Sequence, residues 1–187
     1  DGNVDARTVG FSLGPRLNAA GRLGRADAGL HLLTSTNLDE AMAMARGIEE
    51  INTERKEIQQ WTLEEAEYLI DRQVDLENDR IIVMASENFH AGVIGIVASR
   101  IVEKYFRPTV LIALAGGTGK GSGRSIPKFN LFKAFSACTE HFIQFGGHAY
   151  AAGLHIEEKN VEPFRQSINA IGHRFLKEDD LIPDLRI

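Results

Sequence analysis

The sequence predicts an α/β fold in which one long connecting helix leads into a domain with a mixed sheet flanked by helices. Three observations predict it. From Asn37 to Arg72 no proline interrupts a single apolar stripe, with Leu38, Met42, Ala45, Ile48, Ile51, Ile58, Ala66 and Leu69 at spacings of three, four or their sums. Arg80–Ala85 and Thr109–Leu114 are short continuous apolar runs separated by one helical pattern, which is how a right-handed βαβ unit with buried parallel strands reads. Glycine clusters then punctuate the later part of the chain, and glycine accounts for 18 of the 187 residues.

The elements follow in order. Residues 1–36 are rich in glycine and arginine between Phe11 and Gly24 and too short to bury a core alone; they read as the close of a longer domain, with a short helix over Asp27–Leu33. Asn37 is placed to cap the next helix, and Asp39 and Glu40 in its first turn meet the positive end of the helix dipole. Unbroken, that helix would span ~54 Å, more than a small domain, so it reads as a strut in preference to two antiparallel helices joined near Thr53. A helix over Gly92–Phe106 is stopped by Arg107-Pro108. After the second strand come a glycine-rich stretch at Gly116–Gly123, a helix at Leu131–Phe142 and a glycine turn at Phe145–His148. A strand around Ala152–Ile156 and a terminal helix at Val161–Phe175 complete the domain. The implied division is 1–36, the helix and its exit over 37–79, the sheet domain over 80–177, and a linker over 178–187.

Composition narrows the function classes. No apolar run approaches the ~18 residues a membrane helix needs, and the single cysteine, Cys138, cannot form an internal disulfide, which fits a reducing, cytoplasmic compartment. The net charge of -5 argues on its face against nucleic acid. Its distribution argues otherwise: residues 37–80 hold 13 acidic and 5 basic side chains, whereas 81–155 hold 3 acidic and 7 basic.

Three stretches could carry chemistry. In Lys120-Gly121-Ser122-Gly123-Arg124-Ser125, glycines on both sides of Ser122 allow a close backbone approach with exposed N–H groups, Ser122 adds a hydroxyl, and Arg124 offers a planar fork suited to phosphate. The spacing fits neither a P-loop nor a dinucleotide fingerprint. In Phe145-Gly146-Gly147-His148-Ala149-Tyr150-Ala151-Ala152-Gly153, a tight glycine turn presents His148, which could bond a phosphate or a base. Asn88 and His90 lie where a parallel strand feeds a helix N-terminus, the usual place for anions in open α/β sheets. All three stretches read as loops converging on one cleft. The six histidines pair with no carboxylate at a ligand spacing, so no metal ligands are assigned in this chain. Cys138, mid-helix, does not read as a nucleophile. Of the phenylalanines at 129, 132, 135, 142 and 145, most read as core, with Phe129 the candidate for base stacking.

Four motifs in order carry a resemblance: Gly14-Pro15-Arg16-Leu17-Asn18-Ala19-Ala20-Gly21-Arg22-Leu23, His90-Ala91-Gly92-Val93-Ile94-Gly95-Ile96-Val97-Ala98-Ser99-Arg100, the Lys120–Ser125 stretch and the Phe145–Gly153 stretch. Over about residues 1–175 the chain resembles the RecJ family of bacterial single-stranded-DNA-specific exonucleases, in the DHH phosphoesterase superfamily. The resemblance implies degradation of single-stranded DNA from 5′ to 3′ in recombination and repair. It makes 80–177 a DHHA1 domain, the helix a connector, and 1–36 the end of the DHH catalytic domain. The ligands for two Mn²⁺ or Mg²⁺ ions would then lie outside this chain. By the same carry-over Ser122 and Arg124 would hold the 5′ phosphate, His148 with Gly146 and Gly147 would line the cleft facing the metals, and Arg16 and Asn18 would sit near the domain junction; His90 and Asn88 carry over more weakly. Single-stranded DNA is the implied partner, with a single-strand-binding protein and a helicase. Two other readings stay open: a related DHH phosphoesterase acting on short oligonucleotides or cyclic dinucleotides, and, for this chain by itself, a nucleic-acid-binding module without hydrolytic activity.

Overall fold

A computed structural model describes residues 4–183; residues 1–3 of the first expected segment and 184–187 of the expected linker lie outside the described residues. The chain divides into two compact units, 1–60 and 61–187, a division that falls inside the long helix.

The first unit is helical. Asp5 accepts from the Thr8 N–H at 2.7 Å and starts α1 (Ala6–Thr8), which widens into a π turn over Val9–Leu13 and continues as α2 (Gly14–Arg22). Pro15 stands where the π turn passes into α2, and its missing N–H interrupts the helical ladder there. The glycines at 10, 14 and 21 hide this helical run from a periodicity reading. After α3 (Ala26–Thr34) comes α4 (Leu38–Gln73), 36 residues without a break, as the strut reading requires. Asn37 caps it, its side-chain oxygen accepting from the N–H groups of Asp39 at 2.9 Å and Glu40 at 3.3 Å. Within the first unit, Ile51 of α4 packs against Ala19 and Ala20 of α2.

The second unit is built on a five-stranded sheet of order β1-β2-β3-β5-β4. Its strands are β1 (Ile82–Ser86), β2 (Thr109–Ala115), β3 (Thr118–Arg124), β4 (Phe142–Gly147) and β5 (Ala151–Glu157). The first two run parallel around α5 (Ile94–Tyr105), as their apolar runs predict, and the remaining pairs are antiparallel, so the sheet is mixed. On one face Val97 and Ile101 of α5 and Ala66 and Ile70 of α4 cover Ile82, Met84 and Leu111. On the other, α6 (Leu131–Ser136) and α7 (Val161–Phe175) set Phe135, Phe164 and Ile168 against Val83, Val110, Ile112, Leu154 and Ile156.

Three expectations change. The stretch Gly116–Gly123 is not a loop: only Gly116 and Gly117, both with positive φ, form the turn, and Thr118–Arg124 is the middle strand of the sheet. The helix from Leu131 stops at Ser136, and Phe142–Gly147, partly read as helix and partly as turn, is a strand. The expected linker begins later, because Glu178–Leu181 forms a 3₁₀ turn whose Leu181 is buried in the core beneath α7.

Candidate nucleic-acid interface

Strand β3 is one-sided. Gly119, Gly121 and Gly123 face the core, where an added Cβ would fall 2.5 Å from Ile112, 2.7 Å from Leu154 and 2.6 Å from Leu131. Neighbouring side chains close over the bare backbone. The N–H groups of this strand are committed to the ladders with β2 and β5, so they are not the exposed anion donors that the glycine spacing suggested. The polar work moves to the opposite face, which carries Lys120, Ser122 and Arg124 at alternate positions.

Arg124 leans along this face. Its Nη1 donates to Ser122 Oγ at 3.1 Å and to the Gly123 carbonyl at 2.7 Å. A Cβ on Gly95, in the first turn of α5, would lie 2.9 Å from Arg124 Nη2 and 3.0 Å from Ser122 Oγ. The glycine therefore lets the guanidinium and the hydroxyl rest against the helix. Across the ladder, Ala151 stands opposite Arg124, Gly153 opposite Ser122, and His155 opposite Lys120. One strand further, Gly146 pairs with Gly153 and Gln144 with His155. The result is a trough with small residues on its floor and polar side chains along its walls.

The β4–β5 turn closes one end. Gly147 has φ 143° and a Cβ there would sit 2.5 Å from the Ala151 carbonyl oxygen, so only glycine fits. The exposed His148 donates its backbone N–H to the Ala151 carbonyl at 2.8 Å and so stands level with Ala151 and Arg124. The turn is tied to the residues after β3: the Ser125 N–H donates to the Tyr150 carbonyl at 3.0 Å and the Leu131 N–H to the Ala149 carbonyl at 2.9 Å. Ser122 and Arg124 on β3 are thus set across β5 from Gly146 and Gly147 at the end of β4 and from His148 in the turn that follows.

Asn88 and His90 are occupied elsewhere. The Asn88 amide donates to Glu65 of α4 at 3.2 Å and so ties the loop to that helix, while His90 Nδ1 accepts from the Gly92 N–H at 3.1 Å and shapes the loop itself. Phe129 is 3% exposed and belongs to the core, which removes it as a stacking platform. Burial, assisted by Glu140, pushes the Cys138 thiol up to about 11, and a protonated buried thiol is no nucleophile. In the first unit Arg16 pairs with Glu49 and also donates to the Ser12 carbonyl at 2.8 Å, bracing α2 on α4, and it holds the Glu49 carboxyl below its usual range. Asn18 is exposed. Among the described residues no three of His, Cys, Asp and Glu are grouped as metal ligands would be, and no helix is long and apolar enough to cross a membrane. Sequence reasoning missed Gly95, Gln144 and His155 as neighbours of the site. The alternation Lys120, Ser122, Arg124 was the available signal, since it places all three on one face once the stretch is read as a strand.

Residues 78–173 match the model of the DHHA1 domain. The chain is 39% identical over 184 residues to the single-stranded-DNA-specific exonuclease RecJ of Bacillus subtilis, covering 97% of this chain and 23% of that protein. It is similar in fold to RecJ from Thermus thermophilus in complex with Mn²⁺, with a TM-score of 0.83 and 32% identity over 94% of this chain and 26% of that one. The structure of the same protein with Mg²⁺ also gives 0.83, at 32% identity over 93% of this chain and 27% of that one. The chain therefore spans about a quarter of the length of the relatives it matches. With its sheet domain fitting that model and its relatives by sequence and by fold both RecJ proteins, the chain belongs to the DHHA1 domain family.

Proposed function

We propose that this chain is the strand-positioning part of a bacterial single-stranded-DNA-specific 5′–3′ exonuclease of the RecJ type, acting in recombination and repair. The observation that carries the reading is the Ser122–Arg124 pair, set on the polar face of a central strand, backed by Gly95 and facing the small residues of β5 and β4. The Arg124 guanidinium and the Ser122 hydroxyl hold the 5′ phosphate. Gly146 and Gly153 leave room for the sugar, Gly147 holds the turn beside them, and His148 marks where the strand leaves toward the metal-bearing part. The Mn²⁺ or Mg²⁺ ions that accompany RecJ in its solved structures would on this reading be held by another part of such a protein, and no hydrolytic step is assigned to this chain. Arg16, through its brace on α4, and the exposed Asn18 serve the junction with that part. Such an enzyme works in the cytoplasm with a single-strand-binding protein and a helicase.

The test compares 5′-phosphorylated with 5′-hydroxyl oligodeoxynucleotides in binding to this chain. A hydrogen bond to a charged group contributes roughly 1.5–3 kcal/mol, so the wild type prefers the phosphorylated end by about tenfold or more and Arg124→Ala removes that preference. Equal discrimination by both proteins would sink the assignment.

A further inference from the structure

We infer that the trough continues past Ser122 into a second anion subsite, formed by Lys120, Gln144 and His155, which accepts the additional phosphates of a 5′-triphosphorylated strand. The inference rests on the assignment of Ser122 and Arg124 to the 5′ phosphate. Three rows of residues cross β3, β5 and β4. Arg124, Ala151 and His148 form the first, Ser122, Gly153 and Gly146 the second, and Lys120, His155 and Gln144 the third. His148 and the Lys120 row lie on opposite sides of Ser122. A strand that leaves past His148 therefore has its terminus pointing at Lys120.

The third row suits phosphate. Lys120, His155 and Gln144 are exposed. Directly opposed side chains on one sheet face have Cβ atoms roughly 4.5–5.5 Å apart, so an ammonium, an imidazole and a carboxamide surround one spot. They line an open cavity of about 210 Å³ with Gly121, Phe145, Gly146, Gly153 and Leu154, and no carboxylate takes part in the lining. Among the described residues none of the three spends its side chain on a hydrogen bond or an ion pair. Glu157, the next residue on this face of β5, is engaged by Lys159 at 2.5 Å. Successive rows are about 7 Å apart along β3. The first and third phosphates of a triphosphate chain span most of that step, and the long Lys120 side chain covers the rest.

The experiment uses the 187-residue chain and a thymidylate trimer carrying either one or three phosphates at its 5′ end, titrated without divalent metal. The wild type binds the triphosphorylated trimer about tenfold more tightly, and Lys120→Ala or His155→Ala reduces that ratio several-fold. Both residues are exposed, and circular dichroism confirms the fold of each variant. A Lys120→Ala ratio equal to that of the wild type overturns the inference. So does a Lys120→Ala variant that weakens the monophosphorylated trimer but not thymidine 5′-monophosphate, because the row would then hold an internal phosphate. Failure of the underlying assignment reads differently: Arg124→Ala would leave the monophosphorylated trimer bound as before, whatever the ratio.

Discussion

A guanidinium lies flat against a helix only where the helix offers no side chain, and Gly95 is that opening for Arg124. Alanine is favoured over glycine inside a helix by about 1 kcal/mol, and the atoms that a new Cβ meets first are the movable ends of Arg124 and Ser122, at 2.9 and 3.0 Å. Gly95→Ala therefore keeps or raises thermal stability while it displaces Arg124 and Ser122, and if these hold the phosphate as proposed, affinity for a 5′-phosphorylated strand falls about tenfold. Thermal unfolding and binding measured on the same variant check this. A variant that melts earlier yet binds normally would show that Gly95 serves packing alone. The same scale explains Gly147, whose φ of 143° and lack of room at the Ala151 carbonyl hold the His148 turn in shape.

Among the elements, β1 is an edge strand, and α7 supplies what a missing neighbour would have given at its start. Asn169 Oδ1 accepts from the N–H groups of Arg80 at 2.9 Å and Ile81 at 3.0 Å, while its Nδ2 donates to the Ile81 carbonyl at 3.0 Å. Asn169→Leu keeps the volume but leaves these backbone groups unpaired, so stability falls by about 3 kcal/mol in urea unfolding, while the phosphate binding proposed for β3, two strands away, is unchanged. Elements with a strong period were legible in the sequence: the long helix, the apolar strands β1 and β2, α5 and α7. Strand β3 was not, because a strand whose core face is all glycine shows no apolar alternation, and β4 was hidden by phenylalanines whose spacing continues that of the helix before it. For the same reason Ser122, Arg124, Gly146, Gly147 and His148 could be picked out singly, yet what joins them, the register of three strands, could not. Asn88 and His90 fit a general rule for strand–helix loops, but Asn88 was claimed by Glu65, which the fold brings near, and His90 Nδ1 by the N–H of Gly92, two residues on.

For the whole molecule, a net charge of -5 is compatible with the proposed phosphate trough because 13 of the 26 acidic side chains lie in residues 37–80. The trough itself presents few cations, so binding rests on a small number of phosphate contacts. For single strands the slope of log K against log salt is about −0.7 per phosphate neutralised, which gives roughly −1.4 for two contacts. A salt titration with a 5′-phosphorylated oligonucleotide reads this directly, and a slope beyond about −3 would reveal a much broader basic surface. The bare core face of β3 bears on one more property. A slip of one residue against β2 or β5 would turn Lys120, Ser122 and Arg124 inward, into space already filled by Ile112, Leu154 and Leu131. The chain has no half-working misregistered form: a molecule that pairs this strand wrongly cannot close its core, so every folded copy carries Lys120, Ser122 and Arg124 on the outside and in the same order.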